Sequence, residues 1–153
     1  AVLVRTAKAE QTRSGVIPRS DAQLHRDAVQ VVRRQWLEAQ RQEAEDAAAQ
    51  ANQLYDAGGR GILLAPPFYF KGVGDEGLYR WFSTVLERCR DPREVIVYHL
   101  PSITAVPLSS PLIGRLKRAF PGVVTGVKDS SGEWANTERL LADHADLHIL
   151  VGD

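Results

Sequence analysis

Two residues, Lys128 and Tyr98, have the type and the spacing that could carry covalent chemistry. Lys128 follows the mostly apolar run Val123–Val127 and precedes the loop-forming residues 129–132, so it should lie where a buried strand ends. A lysine in that position loses part of its hydration, which favours the neutral amine. A neutral amine attacks ketones and can form an imine, or Schiff base. The alternative is a surface lysine whose ammonium group reaches solvent, which is the commoner case for a single strand-end lysine.

Tyr98 ends a second apolar run, Val95–Tyr98, thirty residues before Lys128. That separation is about one strand–helix–strand repeat, so adjacent parallel strands should bring both side chains to the same rim of a sheet. A phenol at that rim can pass protons between a substrate, an amine and water. The spacing alone leaves a second interpretation open, in which Tyr98 is a core tyrosine bonded to a backbone carbonyl.

The elements that must position these residues alternate between strand and helix from residue 57 onward. Short continuous apolar runs indicate parallel strands buried on both faces, and helical patterns lie between them. The predicted strands are Gly61–Ala65, Val95–Tyr98, Val123–Lys128 and His148–Val151. The predicted helices are Glu76–Arg88 capped by Asp75, a helix that Ser110 opens as cap and that runs to Ala119, and Ala135–Asp143. This order predicts an α/β fold with right-handed crossovers and a parallel sheet.

The segment before residue 57 has a different composition. Residues 21–55 contain no glycine or proline and are rich in Ala, Gln, Arg and Glu, which predicts a long helix, either continuous or broken in two. Gly58 and Gly59 should end it with a left-handed cap. Its arginines, at positions 26, 33, 34 and 41, would allow an RNA contact, but the acids among them favour a solvated helix face.

Composition and charge exclude several classes of function. Lys plus Arg total 19 and Asp plus Glu total 19, which argues against nucleic-acid and membrane partners. The sequence has no apolar run of about 20 residues and no apparent signal peptide, and its single cysteine, Cys89, cannot form an internal disulfide. A cytoplasmic protein is therefore expected.

Other polar groups are interpreted as structural. His99, His144 and His148 lack the spacing of metal ligands, and Gly72-Val73-Gly74 is too short for a dinucleotide-binding loop. We therefore expect no metal and no cofactor. Asp129 could bind a cation or orient Lys128, but a solvated acid in a loop is the simpler expectation.

Residues from about 45 to 153 resemble the family of dihydrodipicolinate synthase and N-acetylneuraminate lyase, the class I aldolases. The matching motifs are Pro66–Lys71, Gly77–Tyr79, Tyr98–Ser102, Gly126–Gly132 and Gly152-Asp153, in this order. The resemblance implies a partial (β/α)8 barrel made of the central βα units only, in a truncated member of the family. The expected domains are residues 1–44, an atypical helical segment that mostly lacks a counterpart in the family, and residues 45–153, the partial aldolase domain.

The resemblance also implies the chemistry. Lys128 would form an imine with pyruvate or another 2-oxo acid, Tyr98 would be the proton relay, and no cofactor would be required. Tyr69 matches a tyrosine that reaches the active site of a neighbouring subunit, so a homo-oligomer, dimer or tetramer, is expected.

Three departures from the family pattern modify this expectation. Ile103 stands where the synthases carry an arginine for a substrate carboxylate, and an apolar side chain cannot replace that contact. The Gly-Thr-Thr/Ser-Gly-Glu motif that holds the pyruvate carboxylate is absent, and the chain is shorter than the roughly 250 residues of a full barrel. The isoleucine favours a sugar-acid substrate over lysine biosynthesis. The missing motif and the short chain leave an inactive remnant or interaction module of the same family as the alternative. Residues 18–43 match nothing in the family and have the composition of a shifted reading frame.

Overall fold

The structure is a computed structural model that describes residues 20–68 and 72–152. Its elements are α1 (Asp21–Asp56), β1 (Gly61–Leu64), α2 (Asp75–Arg88), β2 (Glu94–His99), α3 (Pro101–Thr104), α4 (Ser110–Ala119), β3 (Val124–Asp129), α5 (Trp134–Asp143) and β4 (His148–Val151). The chain divides into two compact units, residues 1–34 and residues 35–153. The predicted domain division between residues 44 and 45 stays a prediction.

The second unit contains a four-stranded parallel sheet in the order β1-β2-β3-β4. Each strand pairs with the next one along the chain, and at least one helix lies in each connection. Sequential parallel order with helical crossovers is the arrangement of the βα units in a barrel. The predicted parallel α/β architecture is therefore confirmed.

The two faces of the sheet differ in burial because side chains alternate along each strand. On β2, Val95 and Val97 are buried in one hydrophobic cluster with residues of the helices, including Phe82 of α2 and Ile113 of α4. The opposite face carries Tyr98 and Lys128, which are only half-buried. The core thus lies on the helix side of the sheet, and the side chains of Tyr98 and Lys128 lie on the other side.

The long helix and its end agree with the sequence prediction. The helix α1 covers Asp21–Asp56, and Gly58 follows with a φ of +92°. Glycine adopts this left-handed conformation without the steric cost that a Cβ atom brings. Among the described residues, no helix is long and apolar enough to cross a membrane.

Both predicted helix caps are wrong by one position. The cap of α2 is Gly74, and Asp75 is the first residue of the helix. The Asp75 carboxylate instead accepts a hydrogen bond from the Ser109 hydroxyl. The cap of α4 is Ser109 rather than Ser110, because the Ser109 hydroxyl reaches the N–H of Leu112 at 3.1 Å. Of two adjacent serines, the one three residues before a free N–H forms the cap.

Candidate active site

The structure brings Lys128 and Tyr98 together at the ends of two central strands. The two residues are register partners between β2 and β3, so their side chains leave the same face of the sheet at the same level. The Lys128 Nζ lies over the Tyr98 ring, 4.3 Å from its centroid. An ammonium group at this distance is attracted by the electron-rich ring face.

The Tyr98 phenol is polarised by its neighbours. The pKa of Tyr98 is lowered from its ordinary value, first by the Ser130 hydroxyl and then by Lys128. Among the described residues, Ser130 Oγ is buried without a hydrogen-bond partner of normal geometry, so its effect on Tyr98 is that of a nearby dipole. Stabilisation of the phenolate lets Tyr98 give up its proton more readily than a tyrosine in water, so more of it is phenolate at a given pH.

Gly152 leaves space for the Lys128 side chain. A Cβ atom at position 152 would lie 2.5 Å from Ser130 Oγ and 3.1 Å from Lys128 Cε. The Gly152 N–H donates to the Asp129 carbonyl at 2.9 Å, which fixes the glycine beside the lysine. Any larger residue at this position would have to push the serine and the lysine aside.

Asp129 is buried, so the expectation of a solvated loop acid is wrong. Its side chain is 1% exposed. Its Oδ1 accepts from Ser131 N at 3.1 Å and lies 3.0 Å from His99 Nδ1, which donates because a carboxylate only accepts. Its Oδ2 accepts from Asn136 Nδ2 at 3.0 Å and from Thr137 Oγ1 at 2.8 Å. A carboxylate with this many donors is satisfied as an anion.

The donors determine the charge of Asp129. Burial by itself raises the pKa of this carboxyl, but hydrogen bonds from Asn136, Thr137 and Ser131 outweigh burial, and the pKa is lowered. The sequence prediction missed this group because it ended the strand at Lys128. The strand continues to Asp129, and alternation then turns Asp129 to the helix side, next to Val127.

The other predicted site residues lie elsewhere. Tyr69 is outside the described residues, so its position stays a prediction. Ile103 is in α3, a short helix that the sequence did not predict, and is 77% exposed. Within the described ranges, no group of three or more His, Cys, Asp or Glu side chains could hold a metal ion.

Comparison with known proteins gives the family. Residues 40–153 match the sequence profile of the dihydrodipicolinate synthetase family. The chain belongs to this family. Family members are class I lyases and aldolases, and the predicted family is confirmed.

The relatives show how much of a family member this chain contains. An uncharacterized DapA-like lyase from Chloroflexus aurantiacus is 31% identical over 70% of this chain and 36% of its own length. The crystal structure of a dihydrodipicolinate synthase from Agrobacterium tumefaciens is 59% identical, with a TM-score of 0.70, and the match covers 72% of this chain and 39% of that one. The chain therefore spans little more than a third of the relatives that it matches, and the partial-barrel fold is confirmed.

A second solved structure, the 2-keto-3-deoxygluconate aldolase of Sulfolobus solfataricus, shows the same fold. It is 23% identical, has a TM-score of 0.61, and matches over 72% of this chain and 35% of its own. Synthases and sugar-acid aldolases both occur among the neighbours, so the comparisons leave the substrate type open.

Proposed function

We propose that this chain carries the imine-forming part of an aldolase or lyase that acts on pyruvate or another 2-oxo acid. The observation that supports the proposal is the placement of Lys128 Nζ over the Tyr98 ring, with the two residues in register. Both residues lie at the carboxyl ends of parallel strands, which is where barrel enzymes carry their active sites.

The reaction uses each group in turn. The neutral Lys128 amine attacks the ketone carbon, and the carbonyl oxygen takes up a proton to become a hydroxyl group. Tyr98 accepts the proton released by the amine and returns one to the hydroxyl group, which leaves as water and gives the protonated imine. That imine accepts the electron pair of a bond two carbons away, so the bond breaks and an enamine forms.

Two features support a sugar-acid substrate over an aldehyde that carries a carboxylate. Ile103 has no charge or hydrogen-bond donor with which to bind a carboxylate, and 77% of it is exposed to solvent. The 2-keto-3-deoxygluconate aldolase among the structural neighbours acts on such a sugar acid. The 59% identical neighbour is called a dihydrodipicolinate synthase, so both substrate classes belong in the first screen.

We also propose that the protein is a homo-oligomer, a dimer or tetramer, in the cytoplasm, with Tyr69 near a neighbouring subunit. The sheet face that carries Tyr98 and Lys128 also exposes apolar residues, among them Leu63 and Leu150. An exposed apolar sheet face favours association. Cys89 is a free, buried thiol, which fits a reducing compartment.

The test of the imine is chemical trapping. Incubation with pyruvate and sodium borohydride should leave one reduced pyruvyl group on Lys128, because the reagent converts the imine into a stable amine. Peptide mass spectrometry locates the group. Lys128→Ala should remove the adduct. Lys117→Ala should keep it, because Lys117 lies on α4 and is paired with Asp146 at 2.7 Å.

A folded sample without an adduct, or with an adduct on another lysine, would contradict the proposal. The first outcome would favour the second candidate, an inactive remnant or interaction module of the same family. The apolar sheet face favours that candidate independently, because such a surface can also bind a partner.

Gly152→Ala should slow trapping on Lys128 about tenfold or more and leave the fold intact. The new methyl group must displace Lys128 Cε and Ser130 Oγ, which are both able to move, and a displacement of about 1 Å costs up to roughly a hundredfold in rate. The trapping rate measures the effect on the lysine, and the midpoint of urea unfolding checks that the fold is intact. Gly74→Ala is the control, since its Cβ would meet no atom within 4 Å. Equal rates for Gly152→Ala and the unmodified chain would show that the glycine does not place the lysine.

A further inference from the structure

We propose that His99 is a positioning residue, which holds Lys128 against Tyr98 by tying the end of β2 to Asp129 at the end of β3. The inference rests on the proposed function of Lys128, because a positioned amine matters only if the amine reacts.

This role is supported by a second pair of facing residues, one position further along each strand than Tyr98 and Lys128. Tyr98 and Lys128 are register partners, and the next residues along each strand, His99 and Asp129, are partners as well. Because side chains alternate, the first pair lies on the open face and the second pair on the helix side. The His99 Nδ1–H donates to Asp129 Oδ1 at 3.0 Å, and both side chains are almost fully buried.

A tie between these strands is needed because their pairing is irregular. The register of β2 against β3 shifts between Val95 and Ile96, so the hydrogen bonds before the shift do not fix the pairing after it. A slip of one residue would move Lys128 to the opposite face of the sheet. After the shift the pairing runs from Ile96–Gly126 to His99–Asp129. The side-chain bond from His99 to Asp129 and the backbone bond from Ser130 N to the His99 carbonyl, 2.8 Å, reinforce the far end of that short ladder, next to Tyr98 and Lys128.

The role belongs to His99 rather than to the acid alone. Among the described residues that donate to Asp129, Ser131, Asn136 and Thr137 all follow β3 in the chain, and only His99 lies on β2. Without His99, Asp129 would keep three donors and would stay anchored to its own loop and to α5. Removing the His99 side chain therefore takes away the side-chain link between the strands, leaves their backbone bonds in place, and does limited damage to the rest of the network.

The experiment compares three variants of His99 in the trapping reaction at several pyruvate concentrations. His99→Ala should lower the maximal rate about tenfold, with little change in the pyruvate concentration at half-maximal rate, because the reacting amine is displaced and the binding groups are not. His99→Asn should restore most of the rate, because its side-chain amide places an N–H near the position of Nδ1. His99→Gln carries its amide one methylene further out and should restore little.

A matched control is His144→Ala. His144 has the same 5% exposure as His99 but bonds to Ser110, so its loss should lower the urea midpoint and leave the maximal rate unchanged. His99→Ala and His99→Gln with the maximal rate of the unmodified chain would overturn the proposal. So would equal rates for the Asn and Gln variants, which would mean that the position of the donor is irrelevant. The Asn and Gln comparison decides the matter even if His99→Ala does not fold.

A second readout separates this inference from the proposed function. The phenol titration of Tyr98, followed by NMR with labelled tyrosine, reports on the approach of Lys128 without any reaction. The pKa of Tyr98 should rise toward its ordinary value in His99→Gln. In His99→Asn it should stay close to the lowered pKa of the unmodified chain. If the unmodified chain forms no imine, the proposed function fails, and the titration still tests the positioning. An unchanged titration in His99→Gln would overturn the inference even if trapping succeeds.

Discussion

Replacing Tyr98 by phenylalanine is expected to slow imine formation on Lys128 by about 10²- to 10⁴-fold, the range of general acid–base catalysis. The substitution keeps the ring under the Lys128 Nζ, so the 4.3 Å contact that places the amine is retained. Only the hydroxyl group is lost, and with it the group that moves protons between the amine and the departing water. The trapping rate at saturating pyruvate, determined by rapid quench with borohydride, measures the effect.

The control for this substitution is Tyr79→Phe. Tyr79 also lies beneath a cation, since Arg115 Cζ is 3.5 Å from its ring centroid, but Arg115 cannot form an imine. The trapping rate of the Tyr79→Phe variant should equal that of the unmodified chain. A Tyr98→Phe variant that reacts as fast as the Tyr79→Phe control would exclude the phenol as the relay and leave water as the proton carrier.

The pH profile provides a further check on the same residue. Deprotonated Tyr98 is the base, so the rate should rise as the pH rises through the pKa of Tyr98. Because Ser130 and Lys128 lower that pKa, the rise should begin below the ordinary tyrosine value of about 10. Tyr98→Phe should lack this part of the profile, and Tyr79→Phe should retain it.

The strands were predictable from the sequence because each is a short apolar run that breaks off at polar residues or proline. β4 was predicted to the residue, and the three other predictions differ from the structure by a single residue at one or both ends. The separation of Tyr98 and Lys128 by one repeat placed them on neighbouring strands, and the register confirms that placement. Hydrophobic pattern and repeat length are local properties, so the sequence alone contains them.

The second pair of residues could not be predicted because its environment is formed by distant parts of the chain. Asp129 resembles a loop acid, since it follows a lysine and precedes two serines and a glycine. What keeps it charged in a buried position is a set of donors, including His99 from another strand and Thr137 from α5. Sequence pattern predicts which face a residue occupies, but the partners that satisfy a buried charge depend on the fold.

Family membership constrains the chemistry of Lys128 more closely than it constrains the identity of the substrate. A lysine beside a tyrosine at the end of a strand can form an imine with any accessible 2-oxo acid. The substrate is selected by groups that contact its far end, and our proposal that no carboxylate is bound there rests on the apolar side chain of Ile103. Fold similarity among synthases and sugar-acid aldolases cannot make that distinction, because one fold supports several specificities.

Asp129→Ala is expected to lower the free energy of unfolding by about 3–5 kcal/mol, the range for breaking a buried charged pair. The substitution removes the acceptor and leaves the N–H of His99 and the hydroxyl of Thr137 buried without it, and the half-buried Asn136 loses its bond to the carboxylate. Each unpaired buried donor costs about 1–3 kcal/mol. The structure relaxes in part around the substitution, so the loss of stability is smaller than these separate costs added together. Urea unfolding at neutral pH measures the loss, and an exposed control, Asp146→Ala, should change the midpoint little.

The pH dependence follows from the direction of the pKa shift. The pKa of Asp129 is lowered in the folded state, so the unfolded chain binds a proton at higher pH than the folded one. The carboxylate therefore contributes its full stability above the unfolded value of about 3.9 and loses it as the pH falls through the lower folded pKa. The difference in unfolding free energy between the unmodified chain and Asp129→Asn should be constant near neutral pH and shrink below about pH 4. A difference that stays constant into acid would mean that the donors around Asp129 hold the protonated acid equally well, and that the buried charge does not stabilise the strand ends.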